Sequence, residues 1–369
     1  MLKLITIVGT RPEIIRLSEI IKKCDKYFKH KLIFTNQNFS DNLSKVFFKD
    51  LKIRQPNYIY KIKNSSFGNF YGNVLIETEK IVKKENPDAL LILGDTNSAI
   101  SSLIFKRMGI PVFHLEAGNR SFDNNVPEEL NRKIVDTISD FNLVYTESAR
   151  LNLLLNNHEP RKVILIGSPM NEVINNNLNN INKSKILSKL KLEKNNYFLI
   201  SLHREENVDH EKNLKLLSET IVHLKNKYKK KVVITNHPRF NKKNKLLKNK
   251  ENIILTEPLG YLDYMKLQLN SFCVLSDSGT IAEESSILKF DAVCIRNSME
   301  RPEAIENGNI ILCGLNKENI DNSVLLTKEI SSKKFTVPND YQIKNTSDRV
   351  VKIIQGLTFV KNHWYNIKK

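Results

Sequence analysis

Three acidic side chains follow apolar segments in the first half of the chain. Asp95 comes after the run 89–93, Glu116 follows the run 112–115, and Glu128 opens a helical pattern after a short loop. One such acid is often only a helix cap, and Glu128 suits the positive end of a helix dipole. Three carboxylates at one sheet edge would instead perform general acid–base chemistry, because neighbouring carboxylates drive their pKa values apart.

A histidine occupies a similar place in the second half. His203 follows the apolar run 197–201, with Arg204 beside it, and His237 comes after the next apolar run. A lone histidine at a strand end is often structural, but histidine is also the side chain most easily tuned for proton transfer at neutral pH. We therefore treat His203 as a candidate for the site.

The most specific motif is a Ser278-Gly279 turn that follows an apolar strand and opens a helix. Backbone N–H groups and the helix dipole at such a turn bind a pyrophosphate, and the Ser278 hydroxyl adds a donor. Glu283 or Glu284, one turn further on, would accept both ribose hydroxyls. Arg301 adds a cation after the next strand. An ordinary capped helix explains the serine and glycine but not the paired acids with Arg301, so the motif predicts a nucleoside diphosphate site.

The segment 9–13, with the sequence GTRPE, follows the first apolar run. Its glycine allows a tight turn, Pro12 suits the first helical position, and Glu13 suits the helix dipole. Arg11 would then project into a cleft and could fork onto a phosphate. An ordinary helix cap with a solvated arginine remains the alternative.

Apolar strand-like runs alternate with amphipathic helical patterns along the whole chain. The runs are 4–8, 31–35, 89–93, 112–115 and 143–145, then 197–201, 232–235, 253–256, 273–276, 292–295 and 310–312. This alternation indicates parallel sheets joined by right-handed crossovers. Open parallel sheets bind ligands outside the carboxyl ends of their strands, where the motifs above lie.

The chain of 369 residues suits two domains, because single cores stop growing near roughly 250–300 residues. The rhythm stops in an Asn-rich stretch, 175–184, and then restarts. We therefore expect an α/β protein with two Rossmann-like domains, 1–172 and 186–355, that face each other across a central cleft.

The chain carries 58 Lys and Arg against 40 Asp and Glu, a formal net charge of +18. This excess is compatible with nucleic acid, an anionic membrane or an acidic substrate. The lysines, however, occur in runs such as 229–231, mixed with asparagine and with few aromatic residues, which is typical of solvated helix faces. We expect no nucleic-acid partner.

No run of about 18 apolar residues is present, so we expect no membrane insertion. The apolar stretch 1–9 is too short for a signal peptide, which favours a cytoplasmic location. Four scattered cysteines without a C-x-x-C pair support neither a zinc ribbon nor a disulfide framework. We expect no metal and no cofactor.

Taken in order, these motifs resemble the non-hydrolysing UDP-N-acetylglucosamine 2-epimerase family over nearly the whole chain. The resemblance implies the GT-B fold, a terminal helix (356–369) that returns to the first domain, and a homodimer. It also implies inversion of carbon 2 of a UDP-linked N-acetylhexosamine, through loss of UDP to a 2-acetamidoglycal and its re-addition. Position by position, the catalytic set matches Asp95, Glu116, Glu128 and His203. The implied UDP-binding residues are Arg11, Arg204, His237, Ser278, Gly279, Glu283, Glu284 and Arg301.

The chain departs from the usual family pattern at several places. Where the family usually has the motif H-R-R-E-N, this chain has HREEN at 203–207. Where the family usually has E-A-G-L-R-T, the chain has EAGNRS at 116–121, and Arg16 replaces the lysine that usually follows the first motif. The segment that is typically T-G-Q-H-R is TNQNF at 35–39, which argues against activation by substrate. These variants are closer to the branch that makes UDP-N-acetyl-L-fucosamine by the same inversion on UDP-2-acetamido-2,6-dideoxy-L-talose.

Two other enzyme classes share some of these features. A GT-B glycosyltransferase has the same diphosphate and ribose groups but needs no cluster of three carboxylates in its first domain. A hydrolysing epimerase would release free N-acetylmannosamine with UDP. The acids Asp95, Glu116 and Glu128 argue against the glycosyltransferase, whereas accumulation of UDP with free sugar would distinguish the hydrolysing epimerase.

Overall fold

The computed structural model describes residues 1–37, 41–62, 66–123, 126–202, 210–235, 247 and 250–364, without the side chains of 41–45 and 362–363. The chain forms two compact units. The first contains Met1–Asn176 and Asp340–Lys369, and the second contains Asn177–Asn339. No helix in this described part is long and apolar enough to cross a membrane.

Each unit is built on one parallel sheet. Within the described residues, the first sheet has seven strands in the order β3-β2-β1-β4-β5-β6-β7, and the second has six in the order β10-β9-β8-β11-β12-β13. The strands are β1 (Lys3–Val8), β2 (Lys29–Phe34), β3 (Tyr58–Ile59), β4 (Ala89–Leu93), β5 (Val112–Leu115), β6 (Phe141–Val144), β7 (Val163–Leu165), β8 (Tyr197–Ser201), β9 (Lys231–Thr235), β10 (Ile253–Leu255), β11 (Cys273–Ser276), β12 (Ala292–Cys294) and β13 (Ile311–Leu312).

Helices connect these strands. They are α1 (Arg11–Tyr27), α2 (Asp41–Asp50), α3 (Phe67–Glu85), α4 (Ser102–Arg107), α5 (Pro127–Ile138), α6 (Glu147–Leu155), α7 (Met170–Lys183), α8 (Ile186–Lys189), α9 (Glu211–Tyr228), α10 (Tyr261–Asn270), α11 (Ile281–Leu288), α12 (Glu303–Glu306), α13 (Lys317–Glu329) and α14 (Thr346–Trp364). This is the predicted βα alternation in both halves of the chain.

The central strands are apolar on both faces because helices cover both sides of each sheet. Every residue of β4 and of β5 is buried, including the polar His114. In the first unit, a core cluster joins β1, β4 and β5 to α3. A matching cluster in the second unit joins β8, β9 and β11 to α9 and α13. These cores fix the carboxyl ends of the strands, and the predicted motifs lie there.

The predicted strands are present with small shifts in their ends. The sequence analysis missed β3 and β7, which have two and three residues. Such short edge strands bury too few side chains to produce a clear apolar run. The Asn-rich stretch also differs from expectation, since 170–183 is the helix α7.

The second domain boundary differs from the predicted 355. The chain returns to the first unit at Asp340, because α14 begins at Thr346 and its first turn is held there. The backbone N–H of Ser347 donates to Glu172 at 2.8 Å, and Lys23 pairs with Asp348 at 2.6 Å. The returning segment is therefore 340–364 of the described chain, rather than a tail that begins at 356.

Candidate active site

Two of the three predicted acids meet at the carboxyl edge of the first sheet. Asp95 and Glu116 follow β4 and β5, which are neighbours with Leu93 opposite Leu115. Arg132 of α5 donates from Nη2 to Asp95, and the same nitrogen lies 3.7 Å from Glu116 Oε1. Arg132 is buried. One guanidinium therefore serves both carboxylates.

Glu116 has an unusual backbone for a residue with a long side chain. Its φ is +63°, in the left-handed region that favours glycine. Strained residues of this kind often occur at functional sites. On its other side, Glu116 Oε2 lies 3.5 Å from Nε of the buried Arg16, which also lies over the Tyr145 ring. Arg16 thus contacts the candidate site directly.

Glu128, the third predicted acid, does not join this cluster. It is exposed in the first turn of α5, and within the described residues it has no hydrogen-bond or ion-pair partner. The buried face of α5 instead presents Glu129, which accepts from Ser121 N at 3.0 Å and Ser121 Oγ at 3.2 Å. The reason is helical phase, since residues 128 and 129 differ by about 100° around the helix.

Glu13 organises the first loop, residues 9–10 between β1 and α1. Its carboxylate accepts from Gly9 N at 2.9 Å, from Thr10 N at 2.7 Å and, through the other oxygen, from Thr96 Oγ1 at 3.1 Å. Burial raises the pKa of Glu13 to about 7, although these hydrogen bonds oppose the rise. Since Thr96 follows Asp95 directly, Glu13 ties the first loop to the loop that carries Asp95.

Arg11, the predicted phosphate ligand, is half-buried at the start of α1. Its guanidinium carbon lies 6.0 Å from the centre of the Phe47 ring. Gly9 has no room for a side chain, because a Cβ there would collide with Ser98 Oγ and Thr35 Oγ1. The turn before α1 is therefore tight, as the sequence predicts.

The second unit brings Gly279 and Arg301 into contact. A Cβ atom at residue 279 would lie 2.6 Å from Arg301 Nη1 and 3.3 Å from Glu300 Oε2. Ser278 is half-buried, and its Oγ accepts from Thr280 N at 3.3 Å. The turn, its hydroxyl and a guanidinium thus lie together where β11 ends, which is the arrangement expected for an anion site.

Two buried acid–arginine pairs support this turn. Arg301 Nε lies 2.9 Å from Glu283, which has no exposed surface, and Arg296 forms a two-point contact with Glu300 at 2.8 and 2.7 Å. Glu284 accepts from Gln268 Nε2 at 2.7 Å. Glu283 therefore holds Arg301 in place, which separates its role from that of Glu284.

Three predicted site residues, His203, Arg204 and His237, lie outside the described residues. Other groups were missed by the sequence analysis, namely Arg132, Glu129, Arg120, Asp136 and His114. The available signal was on α5, where charged residues recur at 129, 132 and 136, a spacing that places them on one helix face. In the described part of the chain, no three His, Cys, Asp or Glu side chains converge to hold a metal ion.

Each of the two α/β units has a parallel sheet with polar groups at the carboxyl ends of its strands. This architecture defines a protein of the GT-B class. A family model described as UDP-N-acetylglucosamine 2-epimerase matches residues 22–355. The chain belongs to the UDP-N-acetylglucosamine 2-epimerase family. This is a family of isomerases, as the motifs predict.

Individual proteins show how close this similarity is. A UDP-N-acetylglucosamine 2-epimerase of Methanocaldococcus jannaschii is 37% identical over 365 residues, with 96% of this chain and 99% of that protein covered. The structure of a UDP-N-acetylglucosamine 2-epimerase from Rickettsia bellii has a TM-score of 0.92 at 39% identity, covering 99% of this chain and all of that one. A Methanocaldococcus jannaschii UDP-GlcNAc 2-epimerase in complex with UDP-GlcNAc and UDP has a TM-score of 0.90 at 37% identity, covering 96% of this chain and 99% of that one. The predicted fold class is confirmed.

Proposed function

We propose that the chain interconverts UDP-N-acetylglucosamine and its carbon-2 epimer, UDP-N-acetylmannosamine, without hydrolysis. The observation that carries this proposal is the pair Asp95 and Glu116 on the shared Arg132. The relatives named for this activity, one of them in complex with UDP-GlcNAc and UDP, support the same substrate.

The reaction requires a base and an acid. A carboxylate removes the carbon-2 proton while the bond from carbon 1 to the UDP oxygen breaks, so its electron pair leaves with UDP and a double bond forms between carbons 1 and 2. UDP then adds back at carbon 1 as a proton is delivered to the opposite face of carbon 2. Coupling the two bond changes overcomes the weak acidity of carbon 2. We assign proton transfer to Asp95, Glu116, Glu128 and His203.

Cationic side chains and backbone N–H groups would bind the departing diphosphate. The Ser278-Gly279 turn and Arg301 would bind its oxygens, and stabilising this charge lowers the barrier to elimination. Glu283 pairs with Arg301 and has no exposed surface, whereas Glu284 keeps a small exposed area, so we assign the ribose hydroxyls to Glu284. Arg11, Arg204 and His237 complete the proposed set.

A test is to incubate the pure protein with UDP-N-acetylglucosamine in deuterated water and to follow the carbon-2 proton by NMR. The expected result is loss of that proton from substrate and product without net release of UDP. Accumulating UDP with free N-acetylmannosamine would indicate a hydrolysing epimerase, and turnover only with an added acceptor would indicate a glycosyltransferase.

The same assay with UDP-2-acetamido-2,6-dideoxy-L-talose tests the alternative substrate. Faster exchange there than with UDP-N-acetylglucosamine would assign the chain to synthesis of UDP-N-acetyl-L-fucosamine. Absence of exchange with both sugars would contradict the proposed function.

A homodimer is part of the proposal. The helices α3, α4 and α5 pack side by side and expose large apolar side chains, which on a monomer would be an unusual surface. These side chains are Phe67, Ile76, Leu103, Leu130 and Ile134.

The mass of the protein in solution tests the homodimer. Light scattering should give about twice the chain mass. Leu130→Glu should give a monomer, whereas Leu151→Glu on α6 should not. A monomeric wild-type chain would contradict this assignment.

We also propose a cytoplasmic role in making precursors of surface polysaccharides such as capsule or O-antigen. The four cysteines are buried and free, which suits a reducing compartment. A deletion strain should lack the corresponding N-acetylhexosamine in its surface glycans. Unchanged glycan composition would contradict this role.

A further inference from the structure

Asp136, in the last part of α5, is a buried centre of contacts beneath the candidate site. It has no exposed surface. Its carboxylate accepts from Arg120 Nη2 at 2.7 Å and from the backbone N–H of Gly118 at 3.3 Å, and it lies 3.0 Å from Nδ1 of His114. Gly118 and Arg120 belong to the loop that begins with Glu116. Asp136 therefore holds that loop from below.

His114, which is also fully buried, extends these contacts to the neighbouring loop. Its Nε2 lies 2.8 Å from the carbonyl oxygen of Gly94, the residue before Asp95. A carbonyl oxygen only accepts hydrogen bonds, so Nε2 carries a proton. Nδ1 faces the carboxylate of Asp136. His114 thus joins the loop of Asp95 to Asp136.

The groups around Asp136 determine its charge. Burial raises the pKa of Asp136, but the hydrogen bond and charge of His114, with the charge of Arg120, outweigh burial and lower it, so Asp136 is ionised. An ionised Asp136 can accept from Gly118 N–H and from Arg120 at once, which fixes the loop after Glu116.

We propose that Asp136 and His114 are positioning residues, which hold the loops of Asp95 and Glu116 at the separation that proton transfer requires. This inference rests on the proposed function. Neither residue has exposed surface with which to touch a substrate, and together they contact both loops. Glu116 has the left-handed φ of +63°, which persists only when its surroundings impose it. Asp136 binds Gly118 N–H and Arg120 just after Glu116 in the chain, and these contacts help to impose the backbone conformation of Glu116.

The test compares Asp136→Asn with a matched control, Asp140→Asn. Asp140 is equally buried in the same unit and accepts from Lys106 at 2.7 Å and Val112 N at 3.0 Å. It lies at the amino ends of the strands, away from the two loops. We expect Asp136→Asn to lower kcat by about 10- to 100-fold, because a displacement of about 1 Å at the reacting groups can cost up to about 100-fold. Its KM should stay within about twofold, because UDP binding is assigned mainly to the second unit.

Asp140→Asn should change kcat by less than about threefold, whatever stability it loses. A drop in kcat that is equal in both variants, or absent in Asp136→Asn, would overturn the proposal. His114→Gln provides a second variant should Asp136→Asn fail to fold. Its amide can still donate to the Gly94 carbonyl, so it should retain more kcat than His114→Leu. Equal losses in these two variants would contradict the role of His114.

A structural readout separates this inference from the proposed reaction. In a crystal structure of Asp136→Asn, the carboxylates of Asp95 and Glu116 should move relative to Arg132, and they should not move in Asp140→Asn. Unchanged carboxylates would overturn the positioning role even if the wild type is an epimerase. Displaced carboxylates would support it even if the wild type acts on another sugar.

Discussion

Gly279 lies so close to Arg301 that a Cβ atom at residue 279 would come within 2.6 Å of the guanidinium Nη1. Arg301 is confined by an ion pair, since its Nε lies 2.9 Å from the fully buried Glu283. The glycine is therefore required for the turn and the cation to share one small space. This relationship predicts what a single methyl group would do.

Gly279→Ala should weaken UDP binding by about tenfold or more, because Arg301 or the turn must shift. Titration calorimetry with UDP measures the effect. Gly356→Ala is the matched control, since a Cβ there meets open space in the middle of α14. It should leave UDP affinity unchanged and raise the free energy of unfolding by roughly 0.5–1 kcal/mol. Unaltered UDP affinity in Gly279→Ala would contradict the assigned turn.

Arg132→Lys should lower kcat by about 100-fold while the protein stays folded. A lysine carries one compact ammonium and cannot serve Asp95 and Glu116 together as the planar guanidinium does. Steady-state kinetics with a thermal melt measures both quantities. Arg150→Lys, at an exposed pair with Glu147 on α6, should leave both unchanged. Full activity in Arg132→Lys would argue against the shared guanidinium as an organising contact.

Glu128→Gln and Glu129→Gln should separate catalysis from stability. Glu128 is exposed, so its replacement should change the free energy of unfolding by less than about 0.5 kcal/mol. It should nevertheless lower carbon-2 exchange by about 100-fold or more if it transfers a proton. Glu129 is buried against Ser121, and its replacement should cost about 1–3 kcal/mol of stability. Normal exchange in Glu128→Gln would remove it from the proposed catalytic set.

Glu13 should make stability depend on pH between about 4.5 and 7. Its pKa is raised by burial from 4.5 to about 7, so in this range the folded state binds the proton more tightly than the unfolded state. The free energy of unfolding contributed by Glu13 is therefore highest below pH 4.5 and falls as pH rises through 7, by about 3 kcal/mol in all. Urea unfolding at pH 5 and pH 7 measures the fall.

The difference between wild type and Glu13→Gln isolates this contribution, because the other titrating groups are common to both. Glu13→Gln should lose less stability than the wild type over the same interval. Parallel pH dependence in the two proteins would show that Glu13 ionises normally.

Much of the fold was predictable because its information is local. A run such as 89–93 is apolar throughout since parallel strands are covered on both faces. Once the strands alternate with helices, the polar residues that follow them must share one edge of the sheet. The proximity of Asp95 and Glu116 follows from that rule together with the neighbouring positions of β4 and β5.

The domain boundary could not be read in the same way. The sequence near 355 belongs to one continuous helix, α14, and its attachment depends on contacts such as Ser347 with Glu172, 175 residues apart. No local composition signals a contact of that range. The returning segment therefore begins earlier than the composition indicated.

The sequence by itself determined the fold class, the order of the motifs and the family, because these depend on residue types and their spacing. Only the tertiary structure decided that Arg132 joins Asp95 to Glu116, that Glu128 is exposed while Glu129 is buried, and that Asp136 and His114 contact both loops. The physical reason is that helical phase and the packing of α5 against distant strands select which charges are buried together. Residues separated by about 20 to 40 positions acquire a common function only when the chain has folded.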